Sequence, residues 1–163
     1  MLLSVQELQT IITGKLEKDN IQIHSIDLNV IKIESFDSLT IGNIPKEGKT
    51  SLVKYIPTLF NDNHWYLNPG VYNIEFEQGC SLKNNTMLLI RQRSSLLRNG
   101  SVIHSSIFDA EFTTKSIGCI MVVNHPIKIE FGARIATIYG HSCSPVDKGY
   151  SGQWSNDNQR NQK

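Results

Sequence analysis

Short runs in which apolar and polar residues alternate recur along the chain, and this period of two restricts the fold more than any other feature. Residues 72–76 alternate directly after a turn at 68–70, and residues 127–131 alternate up to Gly132. Successive side chains of a strand point to opposite faces, so such runs predict half-buried strands. Turn signals follow roughly every 8 to 12 residues, which favours a sandwich or a barrel.

Three further strands are predicted from apolar runs. Residues 87–90 and 119–123 are continuous apolar runs that indicate buried strands, and residues 134–139 predict a last strand. An earlier strand is predicted where four apolar residues are spaced with polar ones: Ile21, Ile23, Ile26 and Leu28. Residues 34–64 mix Gly, Pro, Lys and Asp with two short apolar clusters and support no assignment.

One short helix is predicted at the N terminus. Ser4 to Glu7 reads S-x-x-E, a capping box, and apolar residues follow at helical spacing until Thr13-Gly14. The expected product is a mostly β single domain over residues 1–154 with this short N-terminal helix. Residues 155–163 contain no apolar residue and are predicted to form a polar, disordered tail.

Composition excludes several classes of function. The net charge of +1 argues against a general nucleic-acid binder or a polybasic membrane surface. No apolar run approaches the roughly 18 residues of a membrane span, and the N terminus lacks the pattern of a signal peptide. The three cysteines are too scattered for a disulfide framework. We therefore expect a cytoplasmic protein with reduced thiols.

Familiar catalytic motifs are absent. His141 and Cys143 are the only close metal-ligand pair in the sequence, and no second pair completes a zinc site. The signature of the zinc nucleobase deaminases and the G-x-S-x-G elbow do not occur. Residues 48–50 read Gly-Lys-Thr without the earlier glycine of a phosphate-binding P-loop, so they predict an ordinary loop.

The stretch MLLIRQRSSLLRNG, residues 87–100, combines three arginines with a serine pair. It lies in a segment, residues 78–108, that carries four lysines or arginines and no acid. Two interpretations stay open at this point. The arginines extend into water from a solvated turn, or guanidinium and hydroxyl groups together form a cradle for an anion such as phosphate.

Four segments in order resemble one known family, the dCTP deaminase and trimeric dUTPase superfamily. They are residues 1–12, Ser25 to Leu28, the R-S-S-L-L-R of residues 93–98, and the G-A-R-I-A of residues 132–136. A fifth segment, residues 149–153, resembles the C-terminal K-Y-x-G-Q of the deaminase branch, which the N-terminal helix and R-S-S also favour. The resemblance implies a distorted β-barrel or sandwich that assembles as a homotrimer, with nucleotide sites between subunits.

The resemblance also assigns roles to particular residues. Arg98 is implied to lie near the reacting water, and Asp109 is implied to activate the attacking water, work that suits a carboxylate. Asp27 is implied to lie near the triphosphate and to contact its Mg²⁺ indirectly, since Mg²⁺ prefers oxygen ligands. The residues implied to bind a pyrimidine deoxynucleoside triphosphate are Arg93, Ser94, Ser95, Tyr150 and Gln153.

Some positions depart from the family pattern. Deaminases carry a glutamate on the strand after Asp109, whereas this chain has Met121 in one alignment and Cys119 in the other, and neither is a base. Glu111 is the nearest acid. Further differences are Asn29 in place of an arginine, Thr137 in place of a glutamine, and Gly149 in place of a lysine. Each lost charge-assisted contact costs about 1.5 to 3 kcal/mol of binding.

Three functions follow as alternatives. The first is Mg²⁺-dependent hydrolysis of dUTP, which needs Asp27 and Asp109 but no strand glutamate. The second is deamination of dCTP with a base that the alignment has missed. The third is a catalytically degenerate homotrimer that binds nucleotides and acts as a regulatory or interaction protein.

Overall fold

The computed structural model describes residues 1–154, and antiparallel strands form most of it. The helices are α1 (Val5–Ile11) and α2 (Ser94–Arg98), with a 3-10 turn at Lys18–Asn20. The strands are β1 (Ile12–Thr13), β2 (Ile26–Phe36), β3 (Tyr55–Pro57), β4 (Phe60–Asn61), β5 (His64–Leu67), β6 (Gly70–Phe76), β7 (Gly79–Ser81), β8 (Thr86–Gln92), β9 (Ser101–His104), β10 (Thr113–Thr114), β11 (Gly118–Val123), β12 (Ile127–Glu130) and β13 (Arg134–Ser142).

The main sheet has seven strands and curls into a nearly closed barrel. Its order is β8-β13-β2-β6-β11-β9, and β3 pairs with the end of β2. The two edge strands meet where the backbone N–H of Ile103 on β9 donates to the side-chain oxygen of Gln92 on β8, at 3.5 Å. Two small sheets, β1-β7-β10 and β12-β5-β4, complete the fold. The mostly β barrel expected from the period-two pattern is confirmed.

Alternation along the strands builds the core. On β2, Ile26, Leu28 and Val30 are fully buried, and Ile74 and Phe76 on the neighbouring β6 are also fully buried. Burying a side chain of this size contributes about 1.5 to 3 kcal/mol relative to leaving it exposed. The core therefore fixes β2 at the centre of the main sheet, where its flanking residues position the site described below.

The predicted N-terminal helix is confirmed with its cap. The Glu7 carboxylate accepts hydrogen bonds from the Ser4 backbone N–H (2.7 Å) and hydroxyl (2.8 Å), and the Glu7 N–H donates to the Ser4 hydroxyl at 3.3 Å. Leu8 and Ile11 are the buried face of α1. A helix of seven residues is too short to be stable alone in water, so this packing holds it in place.

Most strand predictions are confirmed, and two are wrong in their bounds. The strand predicted over 21–28 begins only at Ile26, because a 3-10 turn ends at Asn20 and Ile21 closes a single bridge onto Ile26. Ile23 is consequently 83% exposed. The alternating run 127–131 ends one residue early, at Glu130, and leaves Phe131 half exposed.

Residues 34–64, which the sequence left unassigned, contain the end of β2, a long loop and two short strands. The loop, residues 37–54, is tied at its ends by the Asp37 N–H donating to the Lys54 carbonyl at 2.9 Å. Leu39, Ile41 and Ile44 on it are almost fully exposed. Within residues 1–154, helices long and apolar enough to cross a membrane are absent. The predicted disordered tail, residues 155–163, lies outside the described residues.

Candidate active site

A buried carboxylate lies at the centre of the first cluster of site residues. The Oδ2 atom of Asp27 lies 3.1 Å from Nε of Arg93 and 3.7 Å from Nη1 of Arg134, and it accepts a hydrogen bond from the Gln22 side chain at 3.1 Å. We call these four residues the Asp27 cluster. The three strands β8, β13 and β2 are neighbours, so Arg93 after β8 and Arg134 opening β13 converge on Asp27 of β2.

Burial decides the electrostatics of Asp27. Its side chain is 3% exposed, whereas those of Arg93 and Arg134 are 33% and 30% exposed. Burial raises the pKa of Asp27 above its ordinary value, and the two arginines offset this only in part. The Thr137 hydroxyl lies opposite Asp27 on β13 and lowers the pKa of Asp27 less than either arginine does. It makes no hydrogen bond within the described residues. The carboxylate is thus held in an environment that favours its neutral form.

We expect Asp27→Asn to raise the free energy of unfolding at pH 7. The raised pKa means that the folded protein takes up a proton more readily than the unfolded chain, so ionised Asp27 destabilises the fold at neutral pH. As the pH falls through the raised pKa towards 3.8, the ordinary value, the wild type regains that stability. The difference in the free energy of unfolding between variant and wild type should therefore shrink as the pH falls. Urea unfolding at several pH values measures it.

Asp62→Asn is the matched control, because Asp62 is an exposed acid on a turn far from the barrel interior. Its difference from the wild type in the free energy of unfolding should not change with pH in this way. If the wild type instead has the larger free energy of unfolding at pH 7, and this difference grows as the pH rises, a raised pKa for Asp27 is contradicted.

The R-S-S-L-L-R segment forms α2 rather than an irregular turn. Its Ser94 and Ser95 are exposed, and neither hydroxyl is bonded within the part of the chain that the structure describes. Leu96 is buried and anchors the helix, while Arg98 extends into solvent. Two exposed hydroxyls therefore directly follow Arg93 in the chain, and the anion cradle stays a prediction.

Asn29, found where the family has an arginine, serves the scaffold. Its amide nitrogen donates to the Gly132 carbonyl at 2.8 Å, and its amide oxygen accepts from Asn20 at 2.5 Å and from Gln78 at 3.0 Å. Asn20 and Gln78 are themselves buried, so each bond satisfies a group that would be costly to leave unpaired. This amide network backs the Asp27 cluster and directs the Asn29 side chain into the scaffold.

Asp109 lines a separate cavity of about 1530 Å³. We call it the Asp109 cavity. Its walls come from the loop after β9, from β11, from residues 49–54 of the long loop and from Tyr55 on β3. The Asp109 side chain is exposed and forms no ion pair among the described residues. A carboxylate in this condition is available to accept a proton from water.

The charge of the Asp109 cavity is mainly positive. Among the described residues, two acids line it, Asp109 and Glu75, against four lysines and a histidine: Lys32, Lys49, Lys54, Lys115 and His104. Glu75 lies 3.8 Å from the Lys32 ammonium. Sequence reasoning missed Glu75 because it looked like an ordinary polar residue on the wet face of β6. It missed Lys49 and Lys54 because residues 34–64 carried no pattern.

Neither alignment supplies a strand glutamate to the cavity. Met121 is fully buried in the core and is absent from the cavity's walls, whereas Cys119 and Ile120 line it. Glu75 lies opposite Gly118, the residue before Cys119, because β6 pairs with β11. The carboxylate closest in topology to the missing one is therefore on the neighbouring strand.

A single chain does not bring the two halves of the predicted site together. The described residues that line the Asp109 cavity include none of the other predicted phosphate-side residues: Asp27, Arg93, Ser94, Ser95 and Arg98. Phe108, next to Asp109, bridges to Leu88 on β8, and Arg93 follows five residues later. At about 3.3 Å per residue, these five residues place Arg93 roughly 16 Å from Leu88 along the strand direction.

Tyr150 and Gln153 lie on the cavity side of the molecule and contact their own chain. The Tyr150 N–H donates to the Ala110 carbonyl at 2.8 Å, and its ring packs edge-on against Phe112 at 5.4 Å between centroids. The Gln153 amide bonds both backbone groups of Thr50, at 3.1 and 2.8 Å. Their predicted role in triphosphate binding stays a prediction.

The described residues fit a magnesium ion only if substrate phosphates supply most of its ligands. Within residues 1–154 no cluster of three histidine, cysteine or acidic side chains could hold a metal alone. Asp27 is a single carboxylate already engaged by two arginines and Gln22. Mg²⁺ commonly keeps several waters and takes its other ligands from substrate phosphates, a mode that requires no protein cage.

Comparison with known proteins decides the family. The protein named probable deoxyuridine 5'-triphosphate nucleotidohydrolase of Halobacterium salinarum is 30% identical over 125 residues, 74% of each chain. The deoxyuridine 5'-triphosphate nucleotidohydrolase of Methanocaldococcus jannaschii is 34% identical over 140 residues, 84% of this chain and 88% of the relative. The chain belongs to the dUTPase and dCTP deaminase superfamily. No protein-family model matches it.

The fold agrees with membership of this superfamily. The structure of the 2'-deoxycytidine 5'-triphosphate deaminase from Agrobacterium tumefaciens matches with a TM-score of 0.65 at 14% identity. The match covers 86% of this chain and 47% of the deaminase, so the chain spans about half of that protein's length. The two dUTP nucleotidohydrolases confirm, at the level of the superfamily, the resemblance inferred from the sequence motifs. The branch and the trimer stay predictions.

Proposed function

We propose that the protein hydrolyses dUTP to dUMP and pyrophosphate in an assembly that joins the Asp27 cluster of one copy to the Asp109 cavity of another. The observation that carries the proposal is Asp109, an exposed carboxylate without an ion pair among the described residues, in a cavity of mainly positive charge. The relatives named as dUTP nucleotidohydrolases supply the choice of uracil and of reaction. The fold alone is compatible with more than one reaction.

The reaction requires a base and a binding surface for the phosphates. A water oxygen forms a bond with the α-phosphorus, the bond from that phosphorus to the bridging oxygen breaks, and pyrophosphate leaves. Asp109 takes the proton of the attacking water. Arg93, Ser94 and Ser95 donate hydrogen bonds to phosphate oxygens, and charge-assisted bonds of this kind are about twice as strong as neutral ones.

The separation of Arg93 and Asp109 supports an assembly. Because a single chain keeps the two groups apart, a complete site needs a second copy, and the homotrimer expected from the superfamily provides one. Asp27 holds the Arg93 side chain by the 3.1 Å contact, so the guanidinium is oriented before a ligand arrives. Mg²⁺, bound with the triphosphate beside Asp27, would neutralise charge on the phosphates.

Incubation with dUTP and Mg²⁺ tests the proposal. We expect equal amounts of dUMP and pyrophosphate, no orthophosphate, and loss of the reaction when the metal is chelated. Chromatography of the nucleotides and a pyrophosphate assay measure the products. Binding of a non-hydrolysable dUTP analogue without any product from dUTP would overturn hydrolysis and favour the catalytically degenerate alternative.

Deamination of dCTP is the second candidate, and Glu75 is the observation that favours it. This carboxylate shares the cavity with Asp109 and lies opposite Gly118 on the strand that lacks the family's glutamate. The same incubation with dCTP separates the two reactions, because deamination releases ammonia and hydrolysis of dUTP does not.

A further inference from the structure

The long loop, residues 37–54, folds as a narrow hairpin that returns to the Asp109 cavity. Asn43 and Ser51 bond to each other through both backbone groups, at 2.9 and 3.0 Å, which joins the two halves of the loop. Between them, Gly48 with φ of +96° turns the chain back, a conformation that favours glycine. We call the returning half, residues 49–54, the return arm.

The return arm is fixed at both ends. Near its start, the Gln153 amide bonds both backbone groups of Thr50, and at its end the Lys54 N–H donates to the Thr40 hydroxyl at 2.9 Å. All six residues of the arm line the Asp109 cavity. Their sequence, K-T-S-L-V-K, supplies two ammonium groups and two hydroxyls, which are donors that phosphate oxygens accept.

The arm begins in the Gly-Lys-Thr of residues 48–50. This segment lies in a loop, as predicted, and the strand β3 rather than a helix follows it. A P-loop binds phosphate through backbone N–H groups as well as its lysine, so the frame of a P-loop is missing. The lysine and hydroxyl side chains nevertheless reach a cavity of mainly positive charge.

Lys49 and Lys54 carry charges that the described protein does not neutralise. Another lysine of the cavity wall, Lys32, lies 3.8 Å from the Glu75 carboxylate. Lys49 and Lys54 are exposed, and neither forms an ion pair within residues 1–154. Glu47, the acid closest to Lys49 along the chain, is exposed and is not among the described residues that line the cavity. Both ammonium groups are thus available to an anion in the cavity.

The cavity has also lost a cation at another position. Gly149 stands where the superfamily pattern has a lysine, and the next residue, Tyr150, lines the same cavity as the return arm. A triphosphate without that lysine would lack one charge-assisted contact. The return arm brings two lysines to the cavity in which the contact is missing.

We propose that Lys49 and Lys54 bind the polyphosphate of the nucleotide and replace the lysine missing at position 149, so that the return arm makes the site prefer triphosphates to monophosphates. The identity of the nucleotide rests on the proposed function. The phosphates then lie between the return arm of one copy and Arg93 of another. Each lysine acts as a compact point charge on a flexible stem.

Calorimetric titration with a non-hydrolysable dUTP analogue and with dUMP tests this preference. We expect Lys49→Gln and Lys54→Gln each to lower the affinity for the analogue about tenfold, the lower end for a charge-assisted contact because both side chains are exposed. The affinity for dUMP should stay unchanged. Unchanged affinity for the analogue, or an equal loss for dUMP, would overturn the proposal.

Lys46→Gln is the matched control. Lys46 is an exposed lysine on the same hairpin, and it is not among the described residues that line the cavity. Its replacement removes the same charge and should leave both affinities at the wild-type value. A loss as large as that of Lys49→Gln would reduce the effect to the general charge of the loop and overturn a contact by the return arm.

Lysine acetylation read by mass spectrometry locates the contact without a nucleotide. Inorganic tripolyphosphate should protect Lys49 and Lys54 from acetic anhydride and leave Lys46 reactive. Equal reactivity of the three lysines would overturn the proposal. A wild type that binds tripolyphosphate but neither dUTP analogue nor dUMP would refute the proposed function, while the protection pattern would still decide the role of the return arm. A wild type that binds none of them would overturn both.

Discussion

Asp109→Asn should lower the rate of dUTP hydrolysis by roughly 10² to 10⁴, the contribution typical of a general base. Asparagine keeps the shape of the side chain and loses the ability to take a proton from water. The fall should appear in kcat rather than in KM, because the exposed carboxylate makes no contact that positions another group among the described residues. Initial rates at saturating dUTP measure it.

Stability separates a catalytic loss from a damaged fold. Because Asp109 is exposed and unpaired among the described residues, its replacement should change the free energy of unfolding by no more than about 0.5 kcal/mol. Glu47→Gln, an exposed acid on the long loop outside the cavity, is the matched control and should retain the wild-type rate. An Asp109→Asn enzyme with a near-normal rate would refute Asp109 as the base.

Arg93→Ala should damage both binding and stability. The loss of a charge-assisted contact to phosphate corresponds to about 1.5 to 3 kcal/mol, or an affinity for triphosphate lower by roughly 10- to 150-fold. The same change removes the 3.1 Å partner of a carboxylate that is 3% exposed. Breaking one side of a buried pair costs about 3 to 5 kcal/mol, and the lower end applies because Arg134 and Gln22 stay near Asp27.

A second substitution divides these two effects. Asp27→Asn in the Arg93→Ala background removes the orphaned charge, so it should restore most of the stability without restoring the affinity. Arg91→Ala is the matched control, because Arg91 lies two residues away on β8 with its side chain exposed. Calorimetric titration with the non-hydrolysable analogue and urea unfolding give the two quantities. Unchanged affinity in Arg93→Ala would refute the anion cradle.

The parts of the fold that local pattern controls were predictable. The capping box at Ser4 and Glu7 needs only residues three apart, and the alternation at Tyr72, Ile74 and Phe76 reports burial directly. Ile23 continues the same alternation but lies outside the strand, because a 3-10 turn and a single bridge between Ile21 and Ile26 move the strand's start to Ile26. Periodicity cannot register such a bridge.

The site was predictable where residues adjacent in sequence share one role. Arg93, Ser94 and Ser95 lie beside one another at the start of α2. Glu75 and Lys49 reach the Asp109 cavity only through strand pairing and a loop that folds back, and no spacing in the sequence records either. The convergence of Arg134 with Arg93 on Asp27 likewise depends on the order of three strands.

The distance between Arg93 and Asp109 along one chain has a genetic consequence. If each working site draws one group from each of two copies, then a chain lacking Arg93 still offers an intact Asp109, and a chain lacking Asp109 still offers an intact Arg93. Mixed assemblies of the two defective chains would contain some sites with both groups present. Two individually inactive alleles could thus complement each other in one cell, an outcome closed to an enzyme whose site lies within one chain.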